Sequence, residues 1–433
     1  EVALYTQMWG GSAVMPSYEY EDIPGMDCLG RFCCTELPVK QVANAAAQLG
    51  KNRVLTETFG CSGYDVTPKE LKSVAEMQYF GGVNVMCQHL YPYSVAGRGR
   101  IDHPPVFGPH GNWNEGFKAF NDYFARLSYI VANTEEKAKI GVIHPMRDIW
   151  LDYVRSEDYE SVKRTEEDFN EFLRVLRKNG VEYQLIDERI LERHGKAEGK
   201  NLRVGNCVYD TVIVPKMRNI SGTTYEILKQ YGGKLCVLQT PVFLDGVREK
   251  LSLASNITLE KIIADRRIKF TCEDGNSVLT ARSESIGEFI FIKNTSYTEE
   301  SKVKIAGAEK EYRALDLETL EESDVTDEIT IPASESVILI KSDNAKRAEK
   351  TETETDVTNA FKVTAVSENY FVLDYAELSK SGGSFGKKRA IPGVFEDLLR
   401  EDYKGKITIR QEFVLREKMP LRLIMERADL LSA

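Results

Sequence analysis

Apolar positions along the first 133 residues fall into short runs that alternate with longer amphipathic stretches. Ala3–Gly10 (ALYTQMWG) reads as a strand. Leu37–Asn52 reads as a helix, with Pro38 in its first turn and Gly50 near its end. Arg53–Gly60 (RVLTETFG) follows as a strand. Val66–Gly82 is a helix that opens with a capping box, Thr67 at the cap, Pro68 next and Glu70 three on. Gly82–Ser94 (GVNVMCQHLYPYS) is another strand. Asn114–Asn133 is a helix whose Phe117, Phe120, Phe124, Leu127 and Val131 form one stripe. Strands that alternate with helices in this way predict a parallel α/β architecture.

The alternation continues through residues 134–250. Ala138–Pro145, Tyr183–Glu188, Tyr209–Lys216 and Lys234–Pro241 read as strands, and Arg164–Gly180 and Ser221–Gly233 as helices. This predicts a compact doubly wound domain. Residues 251–342 change character: Lys269–Asp274, Ser277–Ser285, Gly287–Ser296, Ser301–Gly307 and Ser336–Ser342 are short strands divided by turn residues, a β-sandwich pattern. Residues 343–359 are polar and charged and read as a linker. Residues 360–433 begin a further β unit, from Phe361–Leu378, Lys406–Leu415 and Leu421–Ala428.

Composition narrows the partners. The 433 residues carry a net charge of -10, which argues against nucleic acid, since phosphate binding needs a basic face. No run reaches the roughly 18 apolar residues of a membrane-spanning helix. The eight cysteines (28, 33, 34, 61, 87, 207, 236 and 272) show no C-x-x-C spacing. They read as free thiols in a reducing compartment, which favours the cytoplasm, and not as a zinc site. The first residue is not Met, so the chain reads as cut from a larger protein.

Three stretches carry candidate chemistry. Glu57 is a carboxylate in the strand Arg53–Gly60, just before a glycine-rich loop, Gly60–Gly63. In a parallel barrel, strand ends and their loops build the active site. Glu57 is therefore a catalytic or substrate-binding acid, or else a buried acid paired with Lys or Arg. Beyond the next strand, His89, Tyr91 and Tyr93 share one parity, and the loop that follows adds His103, His110 and Trp113. Aromatic faces beside hydrogen-bonding groups suit a sugar ring. Met15–Arg31 (MPSYEYEDIPGMDCLGR) gathers Tyr18, Glu19, Tyr20, Glu21, Asp22 and Asp27 in what reads as an acidic, aromatic loop, fit for a sugar or a hard cation.

Together these stretches resemble the barrel end of large bacterial proteins similar to family 106 α-L-rhamnosidases. The likeness runs from Val2 to about Tyr153. It implies that residues 1–133 are the C-terminal portion of a (β/α)8 glycosidase barrel, followed by a flavodoxin-like domain, a β-sandwich and a partial galactose-binding-like β domain. On that plan Ala3–Gly10, Arg53–Gly60 and the strand from Gly82 are barrel strands 6, 7 and 8. Glu57 takes the strand-7 role of base or nucleophile. Tyr18, Tyr20, Asp27, His89, Tyr91, His103 and Trp113 line the substrate. The general acid expected on strand 4 falls outside the chain, so the missing N-terminal barrel half is an expected partner; Glu19 or Asp22 is the acid available within it. The resemblance also implies a divalent ion, Ca2+, near the sugar, without naming its ligands. Glycoside hydrolysis needs two carboxylates, separated by roughly 5–5.5 Å in retaining and 6.5–9.5 Å in inverting enzymes.

Two other functions compete. One is a non-catalytic carbohydrate-binding or scaffold protein. The other is a flavodoxin-like redox or nucleotide protein centred on residues 134–250, but that stretch has no G-x-G-x-x-G and no P-loop, and offers His144-Pro145 after its first strand.

Overall fold

The computed structural model describes residues 13–31, 36–95, 101, 103–111, 113–153, 160–343, 362, 373, 375–415 and 418–422. It forms two compact units, Glu1–Glu349 and Lys350–Ala433.

The first unit begins with a three-stranded parallel sheet, β1 (Gly25–Cys28), β2 (Leu55–Thr58) and β3 (Val85–Gln88), in that spatial order. Helix α1 (Glu36–Gln48) links β1 to β2, and α2 (Pro68–Gly81) links β2 to β3. The capping box of α2 forms as its sequence predicts. One face of the sheet, with Met26, Cys28, Thr56 and Thr58, is buried. There the α2 side chain of Gln78 donates to Thr58 Oγ1 at 3.0 Å and accepts from Thr56. Residues of the other parity, Asp27 and Glu57, are half-buried on the opposite face. The strand beside β2 is thus Gly25–Cys28, inside the stretch expected to be a loop. Its acidic flanks conceal a short alternation in which Met26 and Cys28 are buried and Asp27 is not. Ala3–Gly10 lies outside the described residues. Within the same stretch, Met15–Tyr20 is a 3-10 helix.

A second parallel sheet holds β5 (Ile140–Ile143), β6 (Tyr183–Ile186), Thr211–Val214 and Lys234–Val237, ordered Lys234–Val237, Thr211–Val214, β5, β6. Its central strands are buried along their length, which explains their unbroken apolar runs. The β6 edge is closed by α1. Lys40, Asn44 and Gln48, each four apart, lie on one helical stripe. Lys40 Nζ donates to Tyr183 O at 3.1 Å, Asn44 Oδ1 accepts from Leu185 N at 2.9 Å, and Gln48 Nε2 donates to Leu185 O at 2.8 Å. A polar stripe therefore does the work of a neighbouring strand, and no backbone group of Leu185 stays unmatched. Gln48 Nε2 also meets Tyr209 OH at 2.8 Å. Gln48→Leu should cost about 1–3 kcal/mol by leaving these buried acceptors unpaired, read as a lower urea midpoint at unchanged slope.

Residues 270–341 form two packed sheets. Three strands (Phe270–Cys272, Ser301–Ile305, Glu328–Ile331) face a six-stranded sheet that ends on β4 (Glu135–Glu136), the short strand just before β5. Between them lies a separate core that includes Phe270, Ile290, Ile292, Val303, Ile331 and Leu339. In the second unit Tyr375–Lys380 pairs antiparallel with Arg389–Ala390 and Ile407–Arg410. A helix, Ile391–Arg400, stands where the sequence reading had none. Most of Leu421–Ala428 lies outside the described residues.

Candidate active site

Register decides what the open face of the first sheet presents. Asp27 is paired with Glu57, and Glu57 with Cys87, across three parallel strands. With strands ~4.8 Å apart, two carboxyl groups stand side by side on that face. Burial, and next the neighbouring Glu57 charge, hold the Asp27 carboxyl above its ordinary value; His89 and His103 pull the other way. Among the described residues Asp27 Oδ1 is a buried oxygen without a hydrogen-bond partner. His89 Nε2 lies 3.9 Å from Glu57 Oε1. The His89 and His103 rings meet edge to face at 5.7 Å. Asp27, Glu57, His89 and His103 form one cluster.

Three loops converge to build it. His89 N donates to Thr58 O at 2.9 Å, Gly30 N to Gly60 O at 2.7 Å, and Cys61 N to His103 O at 3.3 Å. Phe59, Cys61 and His103 all have positive φ (84°, 63° and 48°). Non-glycine residues rarely hold this backbone, and such strain gathers at functional sites. Gly60 has no room for a side chain: a Cβ there would lie 2.9 Å from Leu29 and 3.1 Å from the His89 ring. The buried ring of Phe59 anchors the turn against Phe107 and Phe120, at 5.8 and 6.1 Å.

The other candidate residues are placed differently. Trp113 packs on Phe107 at 6.3 Å, within the same aromatic group. Strand β3 ends at Gln88, so the shared parity of His89, Tyr91 and Tyr93 does not extend along a strand. Tyr91 is 65% exposed and lies over Gly108. Tyr18 is 1% exposed in the hydrophobic core. Tyr20 is 74% exposed, and its hydroxyl accepts from Arg193 at 3.2 Å. Glu19 is engaged by Arg193 and by His194 at 2.7 Å. Burial would raise its pKa, but these two partners outweigh it and hold Glu19 below the ordinary value. A carboxyl so held is a poor proton donor. Sequence reasoning overlooked Cys61, whose Sγ is 2.9 Å from His103 Nδ1; its only signal was its place in the glycine-rich loop after Glu57.

Among the described residues no group of three or more His, Cys, Asp and Glu side chains is arranged to hold a metal ion. The cluster does not fit the Ca2+ that the family resemblance implies.

A second charged group lines the carboxyl ends of the four-stranded parallel sheet, where such folds often bind ligands. Its acids are engaged by the protein itself. Asp148 accepts from the backbone N of Arg218 and Asn219, each at 2.8 Å. Glu188 accepts from Ser221 N at 2.7 Å. Arg147 reaches Glu192 at 3.0 Å and Asp245 at 3.1 Å. Burial raises Asp187 to about 6 and Glu188 to about 7. A folded pKa above the unfolded one gives stability that is complete below the unfolded value and lost as pH rises through the folded one. Glu188→Gln, which cannot ionise, should therefore be more stable than the native chain at pH 8, by up to about 3 kcal/mol, and equal to it at pH 4. Burial holds His144 at about 4, which gives the opposite slope in both proteins and cancels in the comparison. Urea unfolding at the two pH values measures it.

No family model and no curated protein sequence matches the chain. Solved structures do. A rhamnosidase from Novosphingobium sp. PP1Y superposes with a TM-score of 0.57 at 15% identity, covering 87% of this chain and 39% of that one. An exo-carrageenase GH42 from Bacteroides ovatus gives 0.54 at 10% identity, over 76% of this chain and 49% of that one. A beta-galactosidase from Bacillus circulans sp. alkalophilus gives 0.53 at 11% identity, over 79% and 63%. The chain has a fold found in glycoside hydrolases and spans less than two thirds of each of these proteins.

Proposed function

We propose that the chain takes part in glycoside hydrolysis and that β1, β2 and β3 are neighbouring strands of a glycosidase (β/α)8 barrel. The observation that carries this reading is the side-by-side pair Asp27 and Glu57 on one open sheet face, with His89 against Glu57. Glycosidic cleavage needs one carboxyl to protonate the leaving oxygen and one carboxylate to attack carbon or activate water. Glu57 is the carboxylate. Asp27, held above its ordinary value by burial and the Glu57 charge and with one oxygen unpaired, is the candidate proton donor to the leaving oxygen or to a sugar hydroxyl. His89 orients Glu57. Tyr91, exposed beyond β3, offers a stacking face to an oligosaccharide. An α-L-rhamnoside is the first substrate to try. Further barrel strands beside this sheet, as the expected partner, would supply the strand-4 acid if Asp27 does not serve.

The test is hydrolysis of 4-nitrophenyl glycosides, α-L-rhamnoside among them, by this chain and by Glu57→Gln. Turnover lost in the variant supports the reading. Sugar binding without turnover in both proteins supports a non-catalytic carbohydrate-binding module, a role that the exposed Tyr91 and Tyr93 also suit. A folded sample that neither binds nor cleaves sugar excludes both for the chain on its own.

A further inference from the structure

Among the described residues six cysteines form no disulfide, and of these Cys61 and Cys87 are exposed. Cys28, Cys236 and Cys272 are buried; burial raises the Cys207 thiol to about 11 and pushes up that of Cys236. Cys61 is the one whose sulfur lies 2.9 Å from an imidazole nitrogen, His103 Nδ1. Both residues are fixed by left-handed backbone and by the hydrogen bond from Cys61 N to His103 O at 3.3 Å. An imidazolium at that distance favours the thiolate, the reactive form of cysteine.

The other charges around the loop come from every side. From beyond β1, Arg31 Nε donates to Ser62 O at 2.6 Å. Its charge is matched by Asp65 and by Glu70 at 3.5 Å. Asp27 and Glu57 on the sheet oppose a thiolate, and His89, 5.7 Å from the His103 ring, supports one when protonated. Among the described residues, His103 is the group whose nitrogen lies against the sulfur.

We propose that Cys61 is a modification site, a thiolate held by the His103 imidazolium and oxidised by hydrogen peroxide to a sulfenic acid. The sulfur attacks one peroxide oxygen and the O–O bond breaks. The departing hydroxide takes the His103 proton and leaves as water. Sulfur loses two electrons, the peroxide gains them, and His103 ends neutral. Cys61 borders the proposed glycosidase cluster through His103, but the sulfur itself has no role in that chemistry, and alkylation and dimedone labelling read the thiol independently of glycoside turnover.

The experiment is pulsed alkylation of the native chain with iodoacetamide from pH 5 to 9, read peptide by peptide by mass spectrometry, with Cys87 as the exposed comparison. Cys61 should react at least about tenfold faster than Cys87 near pH 6, because thiolate fraction sets the rate. Hydrogen peroxide followed by dimedone should place its adduct on Cys61. His103→Gln, checked for folding by circular dichroism, should bring the Cys61 rate down to that of Cys87. If that variant does not fold, the native pH profile decides. Equal rates at Cys61 and Cys87, no dimedone adduct on Cys61, or a folded His103→Gln with undiminished reactivity would each overturn the proposal.

Discussion

Glu76→Gln is expected to destabilise the first unit by about 3–5 kcal/mol, the cost of breaking a buried ion pair from one side. Glu76 is fully buried on α2. Its carboxylate meets Lys293 Nζ at 3.1 Å, Lys72 Nζ at 2.9 Å and the Tyr123 hydroxyl at 2.6 Å. Lys72 also reaches Glu335 and is partly exposed, so it tolerates the loss. Lys293 is 2% exposed and would keep only the Ser334 carbonyl and the more distant Glu335 charge for its ammonium. Glutamine keeps the shape and a hydrogen bond to Tyr123 but not the countercharge. Burial alone would raise the Glu76 pKa; Lys293 and Lys72, with Tyr123, outweigh it and leave it lowered. A lowered folded pKa gives stability that is present above the unfolded value and lost as pH falls through the folded one. The native chain should therefore lose its advantage over Glu76→Gln on acidification below about pH 4.5. Glu76→Leu combined with Lys293→Met should recover most of the loss, because a well-packed apolar pair often replaces a buried ion pair without cost. Urea unfolding of the two variants settles it. A Glu76→Gln midpoint equal to native would mean that the Lys293 charge is solvated from elsewhere.

The same residue shows where sequence reading stops. On α2, Lys72 and Glu76 are four apart and look like an ordinary surface pair. The partner that forces Glu76 inside is 217 positions away, on the strand Gly287–Asn294 of the six-stranded sheet. The α1 stripe of Lys40, Asn44 and Gln48 hides in the same way. It has the spacing of a solvated helix face, yet it is buried because the open edge of β6 needs donors and acceptors. Neither choice can be made without the other element in view.

Local signals fared better. The capping box set the start of α2. The aromatic stripe of the next helix, Phe117–Ala132, does face inward, with Phe124, Leu127 and Val131 buried. Glu57 was visible because a charge in an apolar run is costly. Its neighbour was only half visible. Asp27 was grouped with the acids of a presumed loop. Four residues of strand, flanked by Asp22 and Gly30, are too few for periodicity to show. Pairing register, a long-range property, turned Asp27 from one acid among several into the companion of Glu57.

That companionship predicts how the pair should titrate and act. On the proposed glycosidase reading, Glu57→Gln should lower kcat/KM about 10²–10⁴-fold, the usual contribution of a positioned acid or base. Asp27→Asn should fall within the same range. The double variant should lose little more than the worse single one, because two groups that act as a unit are not additive. The electrostatic half is separable from activity. Asp27 sits above its ordinary pKa first through burial and second through the Glu57 charge. Glu57→Gln removes the second cause, so the Asp27 pKa should fall, while burial keeps it somewhat raised. Removing the His89 cation by His89→Asn should move it up, since protonated His89 draws it down. Carbon-13 NMR of carboxyl-labelled aspartate, followed against pH in the three proteins, gives both signs directly. An Asp27 titration indifferent to Glu57 would mean that the two carboxyls face apart. Hydrolysis would then need its second acid from another strand, even if Glu57→Gln were inactive.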